Sequence, residues 1–189
     1  MASGIEIGFL LDRQWHLMRS EPERSKRPTL LLLSRVLADA GVAYAIIGGV
    51  AQQVHQPEPR TTLDIDLAVA DRDEIPRQRL AAAGLSETGS FAHSEDWIGP
   101  DGTPVQFTDD PALAGAVARA PEIVLEGVPL RVIGRGDLMH EKLRAAADPA
   151  RRRSKRLQHL ADAQALLEAD PAAAAELTEQ EKATLNLLP

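Results

Sequence analysis

Tyr44-Ala45-Ile46-Ile47-Gly48-Gly49-Val50-Ala51, followed closely by Arg60-Thr61-Thr62-Leu63-Asp64-Ile65-Asp66-Leu67, decides the reading of this 189-residue chain. The apolar run 44–47 suits a buried strand, and the glycines fall where that strand turns into a helix. Such a turn aims backbone N–H groups at an anion. Asp64 and Asp66 sit two positions apart in a second apolar stretch. As a strand, that stretch sends both carboxylates from one face with Cα atoms ~6.6 Å apart. Leu63, Ile65 and Leu67 take the other face, toward a core. Two close carboxylates repel unless a cation lies between them. Each half also has an ordinary explanation: Gly-Gly is common in turns, and Asp-x-Asp on a half-exposed strand can be solvated alternation. Their order, with Arg60 and Thr62 leading into the acids, favours a phosphate-handling turn that feeds a metal-binding strand.

Gly-Gly-x-Ala…Arg-x-Thr-x-Asp-x-Asp resembles the nucleotidyltransferase superfamily, in particular the minimal AbiEii-like branch that includes abortive-infection toxins of toxin–antitoxin systems. The resemblance runs from about Leu30 to Leu167. It implies a polymerase-beta-like α/β (α+β) fold: a small mixed sheet, flanking helices and a helical C-terminal segment. It further implies that Gly48, Gly49, Arg60 and Thr62 hold a nucleoside triphosphate, and that Asp64 and Asp66 hold Mg2+. Transfer of a nucleotidyl group to an RNA or protein hydroxyl, and an antitoxin protein as partner, are implied in the same way.

A second chemical signal lies in the segment beginning at Asp137, which follows Gly134-Arg135-Gly136 and suits an N-cap. Lys142 comes four residues after Leu138 and three after Met139, so it points from the apolar face of its helix. One explanation is a lysine that covers apolar surface and extends its ammonium to water. The other is a cation beside an anionic ligand. Asp137-Leu138-x-x-x-Lys142-Leu143 is similar to the Asp-Leu-x-x-x-Lys-Leu segment of AbiEii-like proteins, whose lysine serves the nucleotide site, and this favours a catalytic role for Lys142. In the closing helix Lys155 and Asp162 match the family, whereas His159 stands where an acid is usual.

The departure concerns the third carboxylate. The resemblance places it on a later strand, here Pro104-Val105-Gln106-Phe107-Thr108, where Gln106 occupies the acid's position. An amide oxygen can ligate Mg2+, so Gln106 joins Asp64 and Asp66 as a candidate metal ligand, but it cannot take a proton from an attacking hydroxyl. Asp109 is three residues on and would face the opposite side of a regular strand. Two rival readings follow: a catalytically degenerate binding module, and an antibiotic-modifying nucleotidyltransferase, which requires an acidic pocket for a cationic drug.

Composition bounds the rest. With 44% hydrophobic and 3% aromatic positions, one core of Leu, Val, Ile and Ala is expected, with room for a helical appendage. The absence of cysteine removes disulfides, thiolate metal sites and cysteine nucleophiles. No signal peptide or membrane span is expected, and the cytoplasm is the default location. A net charge of −7 argues against wholesale attraction to nucleic acid. Locally, Arg151-Arg152-Arg153-Ser154-Lys155-Arg156 forms a basic block at a helix start, where cations oppose the helix dipole, and it suits either solvent or phosphates.

The expected organisation is an N-terminal extension over 1–27, a nucleotidyltransferase-like domain over 28–147 and a C-terminal helical segment over 148–189. In the extension, Trp15, Leu17 and Met18 can dock an amphipathic turn on the body. Helices are expected over 28–40, 50–55, 74–83, 111–119, 137–147, 155–168 and 172–183. Strands are expected over 43–47 and 63–69, with Pro57 and Pro59 keeping the intervening link extended. Hairpins are expected around Asp101-Gly102 and Glu126-Gly127.

Overall fold

The computed structural model describes residues 3–22, 24–58 and 60–186; Pro59 lies outside them. The chain opens with α1 (Gly4–Met18) and α2 (Arg27–Asp39), followed by β1 (Tyr44–Ile46), α3 (Gly48–His55) and β2 (Ile65–Val69). A short 3-10 turn and α4 (Arg77–Ala82) lead into β3 (Ser86–Ser90), β4 (Ser94–Ile98) and β5 (Pro104–Thr108). Then come α5 (Ala114–Ala118), the hairpin β6 (Glu122–Leu125) and β7 (Val128–Arg131), and the helices α6 (Arg135–Ala147), α7 (Arg153–Ala169) and α8 (Glu179–Leu185).

Five strands form a mixed sheet in the order β1-β2-β5-β4-β3. β2 and β5 run parallel, and the remaining neighbours are antiparallel. The β6–β7 hairpin reaches this sheet through a bridge between Ile46 and Val132. All of β1 is buried, as are Ile65 and Leu67 of β2, and Leu30, Leu33 and Leu37 of α2 belong to the same buried core. Leu63 lies before β2 and is only partly buried, so the inward set starts at Ile65 rather than at Leu63.

Several expected elements differ in detail. The helix expected over 74–83 is cut at Pro76: Ile75 is extended (φ −60°, ψ 122°), as a residue before proline favours, and α4 starts only at Arg77. β3 (Ser-Glu-Thr-Gly-Ser) was not expected; its largely exposed face carries no apolar alternation. The alanine-rich stretch forms a 3-10 turn over Pro171–Glu176, and α8 restarts behind a Thr178–Glu181 capping box. The cap of α6 is Gly134 rather than Asp137, whose carboxylate instead pairs with Arg119. At the N-terminus α1 buries Ile5, Gly8, Phe9 and Asp12, while Leu17 and Met18 stay exposed and do not dock. No helix among the described residues is long and apolar enough to cross a membrane.

Candidate active site

The first glycine turn and the acid strand meet within one hydrogen-bonded corner. Ile47 donates its N–H to the Asp66 carbonyl at 2.9 Å, which lays the start of α3 beside β2. Gly48 has φ +62°, and a Cβ there would stand 2.0 Å from Oδ2 of Asp66. At Gly49 the same atom would stand 2.4 Å from Oγ1 of Thr62. Close approach requires glycine at both positions, and at Gly48 the backbone conformation requires it as well. Gly49 also directs its N–H at the Asp66 carboxylate.

Asp64 lies in the loop before β2 and is exposed; Thr62 Oγ1 donates to its Oδ1 at 2.5 Å. Asp66, on β2, is held up to about 7, first by burial and then by the charge of Asp64, against the opposing pull of Lys142. Burial is the larger cause of this rise and the neighbouring carboxylate of Asp64 the next. The oxygen donor set the two acids offer is of the kind that suits a hard divalent cation.

Lys142 comes from α6 and is buried, which removes the reading in which its ammonium reaches bulk water over an apolar face. Its Nζ lies 3.5 Å from Oδ2 of Asp162 and 3.9 Å from Oε2 of Glu141. Arg60 donates from Nη1 to the same Asp162 oxygen at 2.6 Å, and Gln52 donates from Nε2 to the Asp162 carbonyl at 2.9 Å. Asp162 on α7 therefore ties two cations from distant parts of the chain to one point. All of the sequence-designated residues, Gly48, Gly49, Arg60, Thr62, Asp64, Asp66, Gln106 and Lys142, line a single cleft of about 790 Å³.

The architecture has counterparts among solved structures. A nucleotidyltransferase-like antigenic protein from Paracoccidioides brasiliensis matches with a TM-score of 0.59 at 18% identity, over 85% of each chain. ANT(2")-Ia in complex with adenylyl-2"-tobramycin matches at 0.56 with 16% identity, over 85% of this chain and 96% of that one. Its solution structure matches at 0.52 with 16% identity, over 85% and 91%. The chain has the nucleotidyltransferase fold. No protein-family model matches the sequence, and no curated protein matches it significantly.

Within this nucleotidyltransferase fold, Gln106 of β5 stands in register with Asp66 on one side and Asp96 of β4 on the other. Its Nε2 donates to Oδ1 of Asp96 at 2.9 Å, which turns the amide oxygen away from Asp96 and leaves it for another partner. Asp109 does not supply a third acid: Arg72 donates to its Oδ2 at 2.8 Å, and it is not among the residues lining the cleft. Among the described residues no three His, Cys, Asp or Glu side chains are grouped to hold a metal.

Sequence reasoning missed several cleft residues. Glu141, Arg144 and Asp110 line it, with Arg144 donating to Asp110 at 2.6 Å. His159, which stands where the resemblance has an acid, also lines it, and its ring is pushed down to about 4 by burial and by Lys142, Arg151, Arg60 and Lys155. Burial is the larger cause, and the surrounding cations add to it. A helical wheel places Glu141 beside Lys142 but cannot say which cavity it enters, and Asp162 is linked to Arg60 only by the fold.

Proposed function

We propose that this chain is a nucleotidyltransferase that binds a nucleoside triphosphate with Mg2+ and transfers its nucleotidyl group to a hydroxyl of RNA or protein. The observation that carries the reading is the convergence on one cleft of the glycine turn, the crowded pair Asp64 and Asp66, and the cations Arg60 and Lys142. Residues 28–147 form the catalytic body in this reading, with 148–189 as a helical segment that contributes Asp162 and Lys155.

Asp64 and Asp66, with the amide oxygen of Gln106, would hold the metal. When bound, Mg2+ supplies neutralisation of charge developing at the α-phosphate. The backbone N–H groups where Gly48 and Gly49 open α3 would face phosphate oxygens, while the space their missing side chains leave is taken by Asp66 and Thr62, and Thr62 orients Asp64. Arg60 and Lys142 balance triphosphate charge, both positioned by Asp162. The sequence resemblance supports an AbiEii-like toxin paired with an antitoxin; a reading frame for such a partner beside this gene would strengthen it.

The experiment is a calorimetric titration of the four nucleoside triphosphates with and without Mg2+, followed by labelled-nucleotide transfer to bulk RNA and to protein. Mg2+-dependent binding with transfer supports the enzyme. Binding without transfer supports the second reading, a degenerate module, which the replacement of an acid by Gln106 favours. The antibiotic-modifying alternative draws on the likeness to ANT(2")-Ia, and this cleft sets Arg60, Lys142, Arg144, Arg151 and Lys155 against Asp64, Asp66, Asp110 and Glu141 rather than offering a wholly acidic pocket for a cationic acceptor.

A further inference from the structure

Trp15 is the one Phe, Trp or Tyr among the described residues that line the cleft, and it comes from α1, upstream of every motif. Phe9, Tyr44, Trp97 and Phe107 are buried in the core of a chain poor in aromatics, whereas Trp15 is 39% exposed. Its position is fixed by an ionic clasp. Asp12 lies three residues before Trp15 and so neighbours it on the helix surface. The ammonium of Lys26 donates to both Asp12 oxygens at 2.9 and 2.8 Å and to the Thr62 carbonyl at 2.7 Å. The helix that carries the indole is thereby fastened to the loop that carries Asp64. Arg19 sits 5.8 Å above the ring centroid and is itself held by Glu21 at 2.9 Å, and the indole still lines the cleft.

We infer that Trp15 stacks on the base of the nucleoside triphosphate. This rests on the nucleotide reading above and extends it to the part of the ligand that no motif addresses. The cations around His159 offer places for phosphates and the acids a place for the metal, but a base needs a flat apolar partner. A stacked indole accepts any of the four bases through its π face, and such stacking is typically worth about ten- to a hundredfold in affinity. It predicts a site that grips base and phosphate separately and discriminates weakly among bases.

Full-length protein titrated with each nucleoside triphosphate in Mg2+, followed by both indole emission and heat, tests this, with inorganic tripolyphosphate as the ligand that lacks a base. Nucleoside triphosphates should quench emission; tripolyphosphate should bind without quenching. Trp15→Leu, which preserves apolar bulk, should abolish the quench and weaken nucleoside triphosphate binding about tenfold or more while leaving tripolyphosphate affinity unchanged; Trp15→Phe should recover part of the loss. Heat of nucleotide binding without quenching, or wild-type affinity in Trp15→Leu, overturns the role of Trp15 while the nucleotide site stands. No heat with any of the four overturns the nucleotide site and the stacking role with it. Emission that shifts with protein concentration alone overturns the proposal too, because the indole would then be covered by a second copy docking on α1, where Leu10, Leu17 and Met18 are also exposed.

Discussion

Lys26 and Lys142 are each only 2% exposed, and each lies against carboxylates near the β2 acids, yet their surroundings differ in one respect. Lys26 has spent its three donors on Asp12 and the Thr62 carbonyl, all within 2.9 Å. Among the described residues Lys142 has no carboxylate oxygen nearer than 3.5 Å. A buried ammonium with every N–H satisfied is part of the scaffold. One that is buried but loosely paired, and opens on a cleft, keeps its charge for something else. Burial pushes Lys26 down and Asp12 up despite their mutual attraction, so desolvation outweighs the pairing and the clasp fixes geometry more than it stabilises.

The comparison breaks most visibly at Lys26. Lys26→Met should cost about 3 to 5 kcal/mol by denaturant unfolding, because Asp12 is left buried without its counter-charge. The double change Asp12→Leu with Lys26→Met should regain most of that. A single variant as stable as wild type would show that the pair is not a closed unit.

Asp66 gives the next effect. Its folded value of about 7 lies above the ordinary 3.8, so between those values the folded state holds a proton that the unfolded chain has released. Stability should therefore fall as pH rises from about 4 to 7, and Mg2+ should reduce that slope by favouring the ionised form. Asp66→Asn should flatten this part of the unfolding profile and remove Mg2+-dependent nucleotide binding. A profile unchanged by the substitution would mean that the crowding at Asp64 and Asp66 is not felt.

Lys142→Met sharpens the contrast from the other side. It should leave the unfolding midpoint unchanged or slightly raised, weaken triphosphate binding by roughly tenfold, about 1.4 kcal/mol, and leave nucleoside binding alone. Equal loss for both ligands would return Lys142 to the scaffold class. The smallest effect is expected at Gln106→Asp, which sets a third carboxylate in the row Asp66, 106, Asp96. It should destabilise the metal-free protein slightly and tighten Mg2+ binding, with transfer rising in step; improved stability without Mg2+ would contradict the row.

Local chemistry was legible in the sequence and long-range pairing was not. The glycine turn, the strand that carries Asp66, the β4–β5 hairpin and the inward aim of Lys142 each follow from residues within a few positions of one another, whereas Asp64, expected on that strand, lies in the loop before it. The register of β5 against β2 places Gln106 beside Asp66, as the family resemblance implied. Asp96, Asp162 and Trp15 reach the cleft or its supports through contacts between segments far apart in the chain, and no periodicity marks them. β3 escaped notice because an edge strand exposed along its face has no apolar alternation, and α1 was ambiguous because half of its apolar residues remain in water.

The filled space beside Gly48 and Gly49 has a consequence for how this protein can change. The volume that a side chain at 48 would need is occupied by the Asp66 carboxylate, and at 49 by the Thr62 side chain. A variant cannot gain a side chain at the turn and retain the loop as it stands; the two segments work as an interlock. Drift at the glycines therefore erases the acid corner in the same step. A library varied over the turn and the acid strand together would recover functional clones only in matched combinations, with glycine at 48 wherever aspartate persists at 66.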